Sequence, residues 1–268
     1  MTTFPSCYRH PGRETGLACS DCERPICADC SIDSPVGQKC PECARKRGTA
    51  QIITARQLGR RANMVPPVTL GILVVSVGIY LLGVGGLDDW LFRNGQLTPQ
   101  LVRDGEWYRL LSSAFLHAGG LHILFNMVAL YFLGPAIERE VGSASFAGLY
   151  VASALLCSSA YVLLAGDIPA VGASGAVFGL FGAWLLSAWQ RRHTALGRAN
   201  LQSIGAILGI NLLLPLARPG IAWQAHVGGL VAGVVIAFAW TRVGKTPRTR
   251  VLVTVIVAAV ALALGITA

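Results

Sequence analysis

Seven apolar runs, each close to the length a helix needs to cross a bilayer, leave this chain of 268 residues few ways to fold. They cover approximately 67–87, 121–137, 145–164, 173–190, 201–217, 225–241 and 251–268. In hydrocarbon a backbone must satisfy its own hydrogen bonds, so runs of this kind are expected as helices. All 13 Asp and Glu residues lie outside them, where a charge is affordable in solvation terms. A chain that is 53% hydrophobic and 13% charged is also far from the composition of a soluble domain. The expected class is an all-α polytopic membrane protein.

Charge sets the expected orientation. With the N-terminus inside, the connections alternate, and only Arg93, Arg103, Arg109 and Arg218 fall outside, whereas 18 of the 22 Lys and Arg residues fall inside. The positive-inside rule therefore predicts a cytoplasmic N-terminus and an external C-terminus, in a plasma membrane. The N-terminus is polar and Cys-rich and has no secretory-leader pattern, so the first insertion signal is the first span. The net charge of +9 has its explanation in topology, and no nucleic-acid partner is expected, because no aromatic stacking platform accompanies the basic residues.

Residues 1–48 read as a separate module. Cys7-x-x-His10, Cys19-x-x-Cys22, Cys27-x-x-Cys30 and Cys40-x-x-Cys43 supply eight ligands, the number two tetrahedral zinc ions require. His10 cannot join a disulfide, which favours metal over a disulfide framework. Apolar residues are so few that metal binding would supply much of the folding free energy. The order of the pairs resembles B-box-type zinc fingers, which usually make protein contacts. That resemblance implies a cross-braced arrangement, Cys7, His10, Cys27 and Cys30 on one ion and Cys19, Cys22, Cys40 and Cys43 on the other; the spacing alone leaves a sequential arrangement open.

Residues 49–66 form a basic linker, with Arg56, Arg60 and Arg61 following Arg45, Lys46 and Arg47, as expected of a flank held near anionic lipid. A core of six spans, 67–245, and a seventh span, 246–268, complete the predicted division. The first outer connection, from Asp88 to Gly120, is too long for a turn and carries Trp90, Phe92, Trp107, Tyr108 and Phe115, which suits a structured interfacial segment.

Three polar residues then fall at one depth. Spans two, four and six all enter from the outer side, and His122, Ser174 and His226 stand near their starts. Gly175, Gly179 and Gly182 line one face of span four, and Gly229 and Gly233 share the His226 stripe of span six, so the two backbones can approach closely. Ser174 is the candidate nucleophile and His226 its general base. The N-terminus of span four offers unpaired N–H groups to an oxyanion, and His122 and Asn126, four apart on one face, are candidate donors to it. No carboxylate lies in any span. Asp167 is the nearest, and a Ser-His dyad is favoured over a triad. The motif Gly172-Ala173-Ser174-Gly175-Ala176 lacks the second glycine of the α/β-hydrolase elbow.

Together these residues resemble the rhomboid intramembrane serine proteases. Trp107-Tyr108-Arg109, the stretch from His117 to Asn126, Gly134 with Glu138, Gly172-Ala173-Ser174-Gly175, and the stretch from Ala225 to Gly233 match family motifs in order. The resemblance implies a six-helix bundle with an outward-opening aqueous pocket, here with a seventh span, that cleaves transmembrane segments of other membrane proteins. It implies attack by Ser174, base catalysis by His226, and oxyanion stabilisation by His122, Asn126 and the Ser174 N–H, with no metal in the chemistry. Single-span membrane proteins are the expected substrates. The rival is a catalytically silent membrane adaptor that recruits partners through the zinc module; a transporter would need polar groups along a path, and here they gather at one end. His117 is expected to position a loop, His193 to be solvated, Cys157 to fill core space, and Asn211 to bond across helices.

Overall fold

The computed structural model describes residues 4–34, 37–46, 64–164, 168–217, 222–243 and 246–268. The basic residues Arg47, Arg56, Arg60 and Arg61, and also Asp167, Arg218 and Lys245, lie outside the described residues. The chain divides into two compact units, Met1–Met64 and Val65–Ala268.

The first unit is built from two antiparallel pairs. Strands β1 (Ser6–Cys7) and β2 (His10–Glu14) form one, and β3 (Ile32–Ser34) and β4 (Gly37–Lys39) the other, followed by the short helix α1 (Pro41–Lys46). Its buried interior consists of Cys7, Cys19, Ile26, Cys27, Cys30 and Cys40. Ile26 is the one buried aliphatic side chain in that cluster, too little apolar surface to hold a fold by burial alone. The cysteines must supply the rest.

In the second unit helices follow the apolar runs: α2 (Pro67–Leu82), α3 (Asp88–Gly95), α4 (Pro99–Arg103), α5 (Arg109–Ser112), α6 (Gly120–Val141), α7 (Ser143–Leu164), α8 (Ser174–Gln190), α9 (Ala195–Ala217), α10 (Trp223–Arg242) and α11 (Pro247–Ile266). Five helical stretches among the described residues are long and apolar enough to cross a membrane, Pro67–Gly95, Gly120–Val141, Ser143–Leu164, Trp223–Arg242 and Pro247–Ile266. Helices α8, of 17 residues, and α9, of 23, occupy the other two runs. The all-α membrane class holds. Several helices outlast their apolar runs, because hydropathy marks the hydrocarbon-embedded part and polar turns continue beyond it. Thus α6 continues past 137 and carries Glu138.

Helix α8 lies at the centre, packed by α6, α7, α9 and α10, and α11 lies against α7. Leu81, Phe125, Phe132, Ile210 and Leu213 point outward and exposed, the side chains a lipid solvent would cover. Near the end of α2 the backbone turns at Gly86, whose φ of 110° only glycine adopts without strain, and α3 leaves in a new direction.

Glu138 anchors α2 to α6. Its carboxylate, 2% exposed, accepts from the Val68 N–H at 3.1 Å, the Thr69 N–H at 2.8 Å, the Thr69 hydroxyl at 2.7 Å and the Ser143 hydroxyl at 2.7 Å. Pro66 and Pro67 at the start of α2 offer no side-chain cap, so the first-turn donors find their acceptor on another helix. Gly134, one turn before Glu138, makes room: a Cβ there would lie 2.7 Å from the Thr69 methyl.

Candidate active site

Helices α8 and α10 meet backbone to backbone. A Cβ on Gly229 would collide with the Gly175 carbonyl, and one on Gly233 with the Gly179 carbonyl; on Gly182 it would strike the Leu230 carbonyl. This contact is possible only because both faces lack side chains. It sets the first residue of α8, Ser174, beside the first turn of α10.

There the Ser174 hydroxyl lies 2.9 Å from His226 Nε2. Ser174 is partly exposed, and His226 is 8% exposed. The imidazole lies flat on Phe178, ring centroids 4.3 Å apart and planes within 6°. Phe178 is one helical turn beyond Ser174 and thus on its face. His226 Nδ1 is buried with no hydrogen-bond partner among the described residues, and no carboxylate accompanies it there.

His122 borders the same spot from α6. The point a Cβ would occupy on Gly172 lies 2.6 Å from His122 Nε2 and 3.8 Å from the Ser174 hydroxyl oxygen. Gly172 has a φ of 130°, so a side chain there would be strained as well as obstructive. Asn126 is buried, but its amide Nδ2 donates to the His122 carbonyl at 2.9 Å, within its own helix. The structure therefore gathers Ser174, His226 and His122, with Asn126 one turn behind. His117 is 4% exposed and meets His122 edge to face at 5.2 Å.

The segment before Ser174 is tied to the first long connection. Leu97 and Ala170 exchange two backbone hydrogen bonds of 2.9 Å, and the Gly172 N–H donates to Ser113 at 2.9 Å. Arg109, 3% exposed, fixes that connection by donating to the carbonyls of Arg93 at 2.7 Å and Gln96 at 3.0 Å and to Glu106 at 2.7 Å. The Tyr108 hydroxyl, with Arg109 beside it, holds the Glu106 carboxyl below its usual range. Trp90, Trp107 and Tyr108 remain exposed, as interfacial aromatics do.

Phe178 and Glu106 were not among the residues singled out by sequence. Their signals are local: Phe178 stands four residues after Ser174, and Glu106 three before Arg109. Asn211 differs from expectation, because its amide donates to Ile207 at 2.8 Å in its own helix. A side-chain amide on a helix can satisfy itself on the carbonyl one turn back. His193 is exposed, and Cys157 is buried with its thiol donating to Ala154 at 3.1 Å.

In the first unit two groups form, Cys7, His10, Cys27, Cys30 and Cys19, Cys22, Cys40, Cys43, with the ligand atoms of each within 4.8 Å of one another. The members alternate along the chain, which is the cross-braced arrangement. His10 Nδ1 stands 3.8, 3.3 and 3.4 Å from the sulfurs of Cys7, Cys27 and Cys30, and Cys22 and Cys40 are 3.8 Å apart. Ligands about 2.0–2.3 Å from a tetrahedral zinc stand roughly 3.3–3.8 Å from each other, so the donor sets fit a metal ion. All eight cysteines are free of disulfides. Around the second group, N–H donors from Cys40 and the Arg24 guanidinium point at cysteine sulfurs, at 3.3 Å each, and would offset thiolate charge. With four protein ligands apiece, neither group has an open position for chemistry.

Against known proteins, the Rhomboid domain matches residues 104–243, just over half of the chain and the stretch that contains the whole Ser174, His226 and His122 cluster. The chain belongs to the rhomboid family of intramembrane serine proteases. It is similar to the Bacillus subtilis rhomboid protein YdcA, 36% identical over 51% of this chain and 69% of that one. The rhomboid protease GluP of the same organism is 39% identical over 54% of this chain and 28% of its own length. The rhomboid protease GlpG of Yersinia enterocolitica is 32% identical over 66% and 63%. The chain thus spans less than two thirds of the last two relatives. The matched rhomboid domain begins well after the cysteine-rich unit, which lies outside that match.

Proposed function

We propose that this rhomboid cleaves transmembrane segments of single-span membrane proteins, with Ser174 as nucleophile and His226 as general base. The observation that carries the reading is the 2.9 Å separation between the Ser174 hydroxyl and His226 Nε2 on two helices locked together by glycines. In the first step Ser174 attacks the scissile carbonyl while its proton passes to His226 Nε2. The tetrahedral oxyanion is held by the Ser174 N–H at the start of α8, by His122 and by the second amide N–H of Asn126, whose first goes to the His122 carbonyl; the helix dipole also favours negative charge there. His226 then delivers its proton to the leaving amine, and water hydrolyses the serine ester by the reverse sequence. With no carboxylate on Nδ1 among the described residues, the flat contact with Phe178 is what fixes the imidazole plane.

Helix length supports a recessed site. Seventeen residues rise about 25 Å, short of the roughly 30 Å of hydrocarbon. Arg191 and Arg192 follow at the far end and hold it at the membrane surface, so the deficit falls at Ser174. The charge distribution supports a cytoplasmic N-terminus and an external C-terminus in a plasma membrane. Residues 1–48 are a double-zinc module for protein contacts, followed by a linker over 49–66, the six-span core to 245 and the seventh span to 268. A silent adaptor would have no use for a hydroxyl and an imidazole in hydrogen-bond contact beside a turn that only glycine fits.

A serine-directed phosphonate should label Ser174, located by mass mapping, and Ser174→Ala should lose cleavage of a single-span reporter while still inserting. Unchanged cleavage by purified Ser174→Ala would refute the assignment.

A further inference from the structure

A cavity of about 410 Å³ opens at the end of the bundle opposite Ser174, between the last turns of α6, α8 and α10 and the first turn of α11. That volume is in the range of small-molecule sites, about 300–1,000 Å³. Ile137, Val141, Ala183 and Leu186 supply apolar wall, and Trp184 and Trp240 flank it. Arg250 lines it too, and none of these residues takes part in the chemistry at the other end.

Arg250 is the unusual member. One guanidinium nitrogen donates to the Val141 carbonyl at 3.4 Å, whereas its Nε is buried with no partner among the described residues. The Trp240 indole N–H donates to the Arg250 carbonyl at 3.0 Å and fixes the backbone that presents the side chain. Glu140, also in the lining, is largely exposed and faces Arg191 at 3.7 Å instead of Arg250. A buried guanidinium edge without an acceptor is costly, and an anionic oxygen is what it lacks.

We propose that this cavity binds a membrane phospholipid with an anionic headgroup, the phosphate on Arg250 and an acyl chain in the apolar slot. The depth agrees. The site lies where helices leave their apolar runs, beside Arg191, Arg242 and Arg248, and a basic pocket between spanning helices at headgroup level is suited to an anionic lipid. Guanidinium takes phosphate through paired N–H donors, and the tryptophans suit the boundary between headgroup and tail. A free phosphate would use Arg250 and leave the apolar slot unfilled.

The test is native mass spectrometry of the delipidated full chain in detergent, titrated with phosphatidylglycerol, phosphatidylcholine and inorganic phosphate. One phosphatidylglycerol per chain should bind about 10-fold more tightly than phosphatidylcholine, and inorganic phosphate should not displace it. Arg250→Gln should abolish the preference, and Arg248→Gln, which removes the same charge outside the cavity, should keep it. Because Arg250 also helps dock α11, Ser187→Leu serves as a second variant that fills the slot without touching the arginine; it should weaken lipid binding about equally. Equal binding of the two lipids overturns the proposal, as does an Arg248→Gln effect as large as that of Arg250→Gln. Full displacement by phosphate would make this an anion site with no lipid specificity, and would overturn it also.

Discussion

His226 lies flat on Phe178, 4.3 Å between centroids and 6° between planes, with its Nε2 turned to Ser174 and its Nδ1 without a partner among the described residues. In the proposed mechanism an aromatic face takes the orienting place that a hydrogen bond usually has at a base. The arrangement suits a bilayer, where a buried carboxylate would carry a large desolvation cost.

If that stack fixes the imidazole, Phe178→Leu should keep the volume and lose the plane. An aromatic pair is worth about 0.5–1.5 kcal/mol beyond its area, so kcat should fall roughly 2- to 10-fold with KM nearly unchanged. Steady-state cleavage of a fluorogenic transmembrane peptide in bicelles reads both. A change in KM alone would count against the orienting role.

The contact between α8 and α10 should not tolerate a methyl group. Gly229→Ala must push the Gly175 carbonyl away and should destabilise by about 1–3 kcal/mol, lowering activity as Ser174 and His226 separate. Gly205→Ala on α9 meets nothing within 4 Å and should be neutral or slightly stabilising. Thermal unfolding in detergent compares the two.

Glu138→Ala should leave the Val68 and Thr69 N–H groups and two hydroxyls without their acceptor. Losing hydrogen bonds to a buried charge predicts a cost of about 3 kcal/mol and loosening of α2 against α6. Glu138→Gln keeps one acceptor oxygen and should lose less. Hydrogen exchange over Pro67–Leu82 should report the loosening directly.

Metal analysis of the full chain should find two zinc ions per molecule, and Cys19→Ser should remove one. A strong chelator should unfold the first unit, seen as proteolysis within Met1–Met64, because its core is mostly cysteine. All eight of these candidate ligands lie in the first unit, so helices of the second unit should stay intact. Cleavage by the membrane unit in detergent should survive, since neither cluster has an open coordination position.

Much of this was readable in one dimension because the controlling physics is local. Hydrocarbon thickness sets the length of an apolar run, and the 3.6-residue period places Gly175, Gly179 and Gly182 on one face. Ligand spacing marks the eight zinc candidates, since metal chemistry demands Cys and His pairs at short range. Helix ends were less readable, as in α6, because hydropathy follows the solvent and helical hydrogen bonding runs on past it.

Chain order by itself therefore determined the membrane class, the helical runs, the smooth faces and which groups are candidates for chemistry. Tertiary structure alone decided what those groups touch. Phe178 came to lie flat against His226, and Glu138 became the acceptor for the start of a helix 69 residues earlier. The reason is physical: a residue's period and polarity follow from its neighbours in sequence, but its hydrogen-bond partner depends on which helix faces pack together.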